Sequence, residues 1–172
     1  MIIVDNFLSD GELKDELTAE SNWNSSLGYS WSDKHSEATN AWSIFCRAIW
    51  NEFYIPKHDY AGFEYWTNLS YPSTEDSLPW HYDHDEHLYN TTGTIVTPNL
   101  GLVYYCHKEL PEGGYLEIDR GNNQLERIQP VPNRLIIFDP SIKHHVTPLS
   151  GGVRKTLACN VWIDKPMSEN FA

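Results

Sequence analysis

Two short segments hold most of the metal-binding chemistry in this chain. The first reads Trp80-His81-Tyr82-Asp83-His84-Asp85-Glu86-His87, and the second opens on the pair His144-His145. Residues i and i+2 of a β-strand share a face, so His81 and Asp83 are expected to point the same way, with Tyr82 opposite. One imidazole and one carboxylate at that spacing can take two adjacent positions on a metal ion. A second imidazole from a distant strand would complete one triangular face and leave the other positions open, a set that suits an iron(II) ion which must also bind other molecules. Taken alone, His-x-Asp is a weak signal, and an ordinary surface pair is its competing reading.

The distal segment changes the balance. Residues 144–154 read His-His-Val-Thr-Pro-Leu-Ser-Gly-Gly-Val-Arg. This resembles the 2-oxoglutarate/Fe(II)-dependent dioxygenase pattern H-x-V-x-P-[VL]-x-x-G-x-R at every fixed position, through His144, Val146, Pro148, Leu149, Gly152 and Arg154. His144 lies 63 residues beyond His81, which also fits that superfamily. The likeness continues between the motifs. Leu102-Val103-Tyr104-Tyr105 followed by Glu112–Ile118 looks like the family's central hairpin. Arg134–Asp139 looks like the strand before the distal histidine, and Thr156–Asp164 like the final strand, with Trp162. The likeness covers about 62–164 and is nearest to the prolyl-4-hydroxylase-like branch; residues 1–61 carry no motif of it.

The resemblance implies a role for each matching residue. His81, Asp83 and His144 would hold the metal; motif register selects His144, with His145 as the other choice on the opposite side of the strand. Arg154 would bind the C5 carboxylate of 2-oxoglutarate, because a planar guanidinium answers a carboxylate with two parallel hydrogen bonds. Tyr105 is the expected second donor there, Tyr71 the expected pocket-lining tyrosine, and Thr156 a third group in reach. Either tyrosine can equally be an ordinary core aromatic. The family often has Asn or Asp after Tyr-Leu, whereas Cys106-His107 follows Tyr105 here, so the assignment of Tyr104 and Tyr105 is open by one position. Asn160 and Trp162 alternate with Thr156 and would lie near the metal. His84 and Asp85 directly follow the ligand pair, where they can face substrate or form the rim.

The cofactors implied are Fe(II), 2-oxoglutarate as co-substrate and O2, with ascorbate as an auxiliary reductant. The activity implied is decarboxylation of 2-oxoglutarate to succinate and CO2, coupled to hydroxylation of a peptidyl residue such as proline or of a small metabolite. Two other classes use similar parts: a metal-dependent hydrolase or cupin-like isomerase with the same His/Asp/His set, and a non-catalytic binding module. Arg154 at its fixed spacing argues against the hydrolase, which needs no carboxylate clamp.

These residues must be positioned by a mainly β domain. Residues 2–4 predict a short strand. Ser9-Asp10-Gly11-Glu12 fits a capping box with Ser9 as N-cap, opening a helix with Leu13 and Leu17 on one face. Residues 21–36, with Trp23, Tyr29 and Trp31, predict an exposed loop beside a binding site, and 37–54 predict a helix through Ala41, Ile44, Phe45, Ala48, Ile49 and Phe53. From Phe63 the period changes to two. Strands are expected at about 62–71, 79–84, 100–107, 114–119, 125–130, 134–139, 144–147 and 154–163. Two helices followed by about eight strands give an α+β, mainly β fold: a double-stranded β-helix, or jelly roll, with the N-terminal helices packed on one sheet. We expect one domain over 1–172, with helical support to about residue 61 and the β core over about 62–164.

Composition bounds the partners. The chain has 172 residues, of which 40% are apolar, enough for one continuous core. Twelve basic against 24 acidic residues give a formal charge of -12, and no Lys/Arg cluster occurs. That argues against nucleic acid and anionic membrane as partners and favours a cationic or neutral substrate, whether peptide, protein or small molecule. Cys46, Cys106 and Cys159 have no CxxC spacing and fit buried free thiols. The acidic N-terminus and the lack of a long apolar run predict a soluble, cytoplasmic protein. Nothing in the sequence sets an oligomeric state.

Overall fold

The computed structural model describes residues 1–53, 59–75 and 77–170. In chain order the elements are β1 (Ile2–Val4), α1 (Glu12–Thr18), β2 (Ser30–Asp33), α2 (Ala41–Phe53), β3 (Gly62–Ser70), β4 (Leu78–His81), α3 (Glu86–Thr92), β5 (Leu100–Tyr105), β6 (Glu112–Gly113), β7 (Leu116–Asp119), β8 (Leu125–Ile128), β9 (Leu135–Phe138), β10 (His144–Val146), β11 (Leu149–Gly151) and β12 (Arg154–Trp162). Single 3-10 turns occur at Glu20–Asn22 and Met167–Asn170. A six-stranded sheet runs β1-β9-β5-β12-β3-β2, a four-stranded sheet runs β4-β10-β7-β8, and β6 and β11 form a short ribbon. Neighbouring strands pair antiparallel. The arrangement is a double-stranded β-helix.

Strand alternation divides the large sheet into two working faces. Leu157, Cys159 and Val161 of β12, Leu102 and Tyr104 of β5, Leu135 and Ile137 of β9, and Phe63 and Tyr65 of β3 meet the helices, where Phe45, Ile49 and Trp50 of α2 and Leu17 of α1 complete one core. The opposite face, with Val103, Tyr105, Ile136 and Phe138, packs between the sheets against Leu116, Ile118, Ile128 and Val146 of the small sheet. Every residue of β12 is buried, as expected of a strand covered on both sides. The three cysteines are buried and free. Among the described residues, no helix is long and apolar enough to cross a membrane.

Several local expectations are corrected. The N-cap of α1 is Gly11, without a side-chain cap, so Ser9 does not play that part. α2 begins at Ala41 rather than 37, because Asn40 Oδ1 accepts from Ser43 N while Ser43 Oγ accepts from Asn40 N, a reciprocal cap; the expected last residue, 54, lies outside the described residues. The 21–36 segment is not all loop. It contributes β2 to the edge of the large sheet, and Trp23 is buried, donating from its indole to Leu17 O and packing on Trp42. The runs 102–105 and 112–118 do not form a hairpin: β5 lies in the large sheet and β7 in the small one. The ligand strand stops at His81, and an unforeseen helix, α3, follows, N-capped by Asp85.

Asn133 ties the N-terminal segment to the barrel. Its φ of 58° lies in the left-handed region that Asn tolerates better than most residues. Its Oδ1 accepts from Leu8 N and from the Tyr104 hydroxyl, both at 2.9 Å, while Nδ2 donates to Leu8 O. Asn133→Ala would strand these partners and add backbone strain. We expect a loss of about 2–4 kcal/mol, read as a lower urea midpoint in chemical denaturation. Asn133→Asp, which keeps the acceptor and loses the donor, should fall between the two proteins.

Candidate active site

The two histidines of the motif meet as cross-strand neighbours. His81 ends β4 and pairs directly with His144, the first residue of β10. Their rings lie with centroids 4.3 Å apart. Asp83 follows the end of β4, where its backbone N–H donates to Pro140 O, and its side chain returns to the pair. Asp83 Oδ1 stands 3.2 Å from His81 Nε2 and 3.8 Å from His144 Nε2. One ligand atom from each of the three residues falls within 4.8 Å of the others, so the set could hold a single ion.

The backbone sets which nitrogens face the centre. His81 Nδ1 lies 2.8 Å from Pro79 O, and His144 Nδ1 lies 2.7 Å from Ile142 O. A carbonyl can only accept, so each Nδ1 carries a proton and each Nε2 is turned inward; in the metal-free protein His81 Nε2 donates to Asp83, and loss of that proton gives the lone pair a metal requires. Asp83 divides its oxygens in the same way: Oδ2 accepts from Asn160 Nδ2 at 2.9 Å, leaving Oδ1 for the centre. Burial alone would raise the Asp83 pKa, but the hydrogen bond from His81, the charge of His144 and the Asn160 amide outweigh it and hold it below the ordinary value. Burial depresses the His144 pKa, with Asp83 opposing. In His81 burial is outweighed by the bonds to Asp83 and Pro79 O, and the pKa rises.

His145 takes the opposite face of β10. Its Nε2 sits 2.7 Å from Glu117 Oε2 and its ring stacks on Trp80 at 3.9 Å. Glu117 also accepts from Arg127 Nε, so this histidine belongs to an ionic cluster behind the sheet.

A narrow cavity of about 70 Å3 continues from the three ligands between the sheets, lined by Arg154, Thr156, Ala158 and Asn160 of β12 and by Asn68 and Ser70 of β3. Arg154 is 4% exposed and lies beside Tyr105, with its guanidinium carbon 5.5 Å from the ring centroid. Gly114 makes room for it: this residue has a φ of 64°, and a Cβ there would come within 3.1 Å of Arg154 Cδ. Among the described residues, two buried polar atoms of the cavity lining have no hydrogen-bond partner, Arg154 Nε and Thr156 Oγ1, and a third, Tyr105 Oη, lies beside Arg154 although Tyr105 is not itself among the lining residues. Leaving such groups unpaired is costly, and together they call for a polar ligand. All three atoms carry a hydrogen to donate, and the guanidinium is cationic, so a carboxylate is the group that fits. Burial pushes the Tyr105 phenol up, against the pull of the Arg154 charge, so it stays a donor.

The structure does not bring every expected residue to the cavity. Tyr71 is 60% exposed and is not among the lining residues. β3 ends at Ser70, and Tyr71 is out of phase with Asn68 and Ser70, which line the cavity. Of the two adjacent tyrosines it is Tyr105 that lies next to Arg154, while Tyr104 faces the helices. Trp162 is buried but lines neither the cavity nor the groove outside it. Asp85 is the α3 cap, accepting from Leu88 N and Ser168 Oγ, whereas His84 lines the outer groove. Sequence reasoning missed Glu64, which accepts from Asn160 Nδ2 at 3.2 Å and lines that groove. The alternation that marked Phe63 and Tyr65 as core placed Glu64 on the other face without showing what it would meet.

Comparison with known proteins supplies the class. Residues 67–164 match the family model of the 2OG-Fe(II) oxygenase superfamily. The chain belongs to that superfamily, whose members use Fe(II), 2-oxoglutarate and O2, and it is an oxidoreductase of that type. No curated protein matches it in sequence. Among solved structures, the Pseudomonas putida prolyl-4-hydroxylase is similar over 95% of this chain and 88% of its own, at 16% identity and a TM-score of 0.61. A viral collagen prolyl hydroxylase from Paramecium Bursaria Chlorella virus-1, in complex with 2-oxoglutarate, covers 95% of this chain and 96% of its own at 17% identity, with a TM-score of 0.56. HygX from Streptomyces hygroscopicus, with nickel and 2-oxoglutarate bound, covers 94% and 81% at 11% identity, with a TM-score of 0.59. At these identities the likeness is one of fold.

The geometry predicts a split between neighbouring histidines. Ala at His81, Asp83 or His144 should weaken Mn(II) or Co(II) binding by about 100-fold or more, since loss of a mere supporting contact already costs 10–100-fold. His145→Ala should leave metal affinity within a few-fold and instead lower the melting temperature, because Glu117 loses a buried partner. Isothermal titration of each variant with metal checks the first statement and calorimetric melting the second.

Proposed function

We propose that the protein couples oxidative decarboxylation of 2-oxoglutarate to hydroxylation of an organic substrate, with His81, Asp83 and His144 as metal ligands and Arg154, Tyr105 and Thr156 as the co-substrate pocket. The observation that carries this reading is the continuity of one cavity from three inward-turned metal ligands to three unpartnered polar groups around a buried guanidinium. When bound, iron(II) and 2-oxoglutarate supply the oxidising chemistry: one oxygen atom of O2 enters the substrate, the other enters succinate, and CO2 leaves.

The chain's own residues bind, orient and shield. Arg154 neutralises the carboxylate remote from the metal, and Tyr105 and Thr156 donate to it. Asn160 keeps one oxygen of Asp83 away from the centre, which favours single-oxygen ligation and leaves room for the other reactants. Val103, Leu116, Phe138 and Val146 wall the inner cavity with apolar groups and limit water. The substrate enters through the outer groove; a peptidyl residue such as proline and a small metabolite are the two forms considered. Fold likeness to prolyl hydroxylases supports the first without fixing it.

Two measurements test the proposal. Succinate formation that depends on 2-oxoglutarate, with a product heavier by one oxygen, separates it from a hydrolase, an isomerase and a binding module using the same residues. For the pocket, Arg154→Ala should weaken 2-oxoglutarate binding to the Mn(II)-loaded protein by about 30-fold to several thousand-fold, the equivalent of roughly 2–5 kcal/mol for a buried charged pair. Tyr105→Phe should cost only about 1 kcal/mol. Metal affinity should be unaffected in both, and an Arg154→Ala protein that binds 2-oxoglutarate like the parent would overturn the assignment.

A further inference from the structure

Beyond the metal ligands the cavity widens into a groove of about 640 Å3. His81, Asp83 and Asn160 belong to both spaces, so the groove is the approach by which a substrate reaches the metal. The charge of the groove is one-sided. Glu64, Asp83 and Glu86 line it, and among the described residues no Lys or Arg does. Glu64 is 8% exposed, so its carboxylate acts where water screens it poorly. Bound iron and co-substrate do not reverse the sign, because Asp83 and the two carboxylates of 2-oxoglutarate balance the charges of the ion and of Arg154, and Glu64 and Glu86 remain.

The groove also has aromatic walls. Trp66 and Tyr29 pack with ring centroids 4.7 Å apart, and both line it, as does Tyr82. Aromatic faces beside carboxylates favour organic cations, which gain from both the ring quadrupole and the negative potential. The field is felt at Tyr29, whose phenol is pushed up to about 12, by desolvation first and then by Asp83, Glu64 and Glu86.

Resting on the oxygenase reading above, we propose that the substrate carries an alkylammonium group, held in this groove by Glu64 and Glu86 against Trp66 and Tyr29, with the carbon to be oxidised directed at the metal. The ammonium can belong to a free amine or amino acid or to a lysyl side chain in a peptide; the chemistry recognised is the same. A neutral or acidic substrate of equal size gains nothing from Glu64, and an acidic one is repelled.

The test uses Mn(II)-loaded protein with 2-oxoglutarate in the absence of O2, reading paramagnetic broadening of ligand proton signals. The probes are cadaverine, L-lysine and N-acetyl-glycyl-lysyl-glycinamide, each set against a counterpart that lacks the terminal ammonium: pentane-1,5-diol, L-norleucine (which keeps only its α-ammonium) and the norleucyl peptide. L-Glutamate serves as the acidic control. At least one ammonium probe should be broadened, at about 10-fold lower concentration than its counterpart, and the peptide against the free amines tells which source fits. Glu64→Gln should reduce that preference about 10-fold. Glu86→Lys, a change at an exposed position that spares the core, should reduce it as well and make it depend less on salt. Equal binding of charged and uncharged members, preference for glutamate, broadening of no probe at 10 mM (roughly the weakest contact a steering charge of this kind should leave), or a cation preference unchanged in both variants would each overturn the proposal. Failure of the oxygenase reading itself would show separately, as Mn(II) protein that does not bind 2-oxoglutarate at all.

Discussion

A β-strand has two faces, and β12 has no solvent on either. Nine consecutive residues of this strand are buried, so each position must be suited to the layer it meets. Of the odd positions, Leu157, Cys159 and Val161 are apolar and grip the helical layer, while Lys155 pairs with Glu20. Of the even ones, Arg154, Thr156 and Asn160 are polar and line the cavity together with Ala158. Burying Arg154 and Thr156 with unpaired atoms is unfavourable. What permits it is the packing on the other face: β12 is flanked along its length by β3 and β5, and the α2 side chains Phe45, Ile49 and Trp50 press from behind. The stability of the helical core thus holds in place polar groups that would otherwise seek water.

The same economy of backbone appears around the proposed metal ligands. Three groups that could rotate are held by bonds their neighbours were making anyway. Pro79 and Ile142, two residues before the histidines, lend carbonyls that set both tautomers. Asn160, three turns of the pleat along β12 from Arg154, fixes the carboxylate of Asp83 and joins it to Glu64. One strand therefore touches the co-substrate end, the ligand end and the groove wall, and a displacement of β12 would be felt at all three. Preorganisation of this kind avoids reordering the site when reactants bind.

Much of this was legible because motif chemistry and strand periodicity agree. Motif register brought together His81, Asp83, His144 and Arg154, and the outward turn of His145 follows from strand alternation; Asp83 lies beyond the end of β4, so its approach to His81 is set by its backbone bond to Pro140 O and by Asn160 rather than by the pleat. In α2 the period placed Ala41, Phe45 and Ile49 on the buried face, but Ile44 and Ala48 are exposed, and Cys46 and Trp50 are buried there instead. Illegible features were those set by tertiary partners. Tyr71 was expected inward, but it has the parity of Phe63, Tyr65 and Leu69, which face the helices, while Trp66, Asn68 and Ser70 line the cavity. Trp23 looked exposed among Ser and Asn, yet Trp42 and Leu17 O receive it. α3 has no apolar periodicity; it exists because Asp85 caps it and Ser168, far along the chain, satisfies the same carboxylate. The sheet membership of β5 and β7 could not be read from either run, since both are apolar and both lead into turns.

β4 is the outermost strand of the small sheet, with β10 as its neighbour there, and its register shifts after the His81 pair. Leu78 and Trp80 on it are partly open to solvent. Edge strands of this kind are among the first parts of a fold to open locally. His81 sits at the end of that strand and His144 on the better-supported β10, so an ion bound to both is a clasp across the seam. Binding only to the closed form, it shifts the local equilibrium by mass action. An ion held by both would thus fasten an edge strand of the small sheet to its inner neighbour.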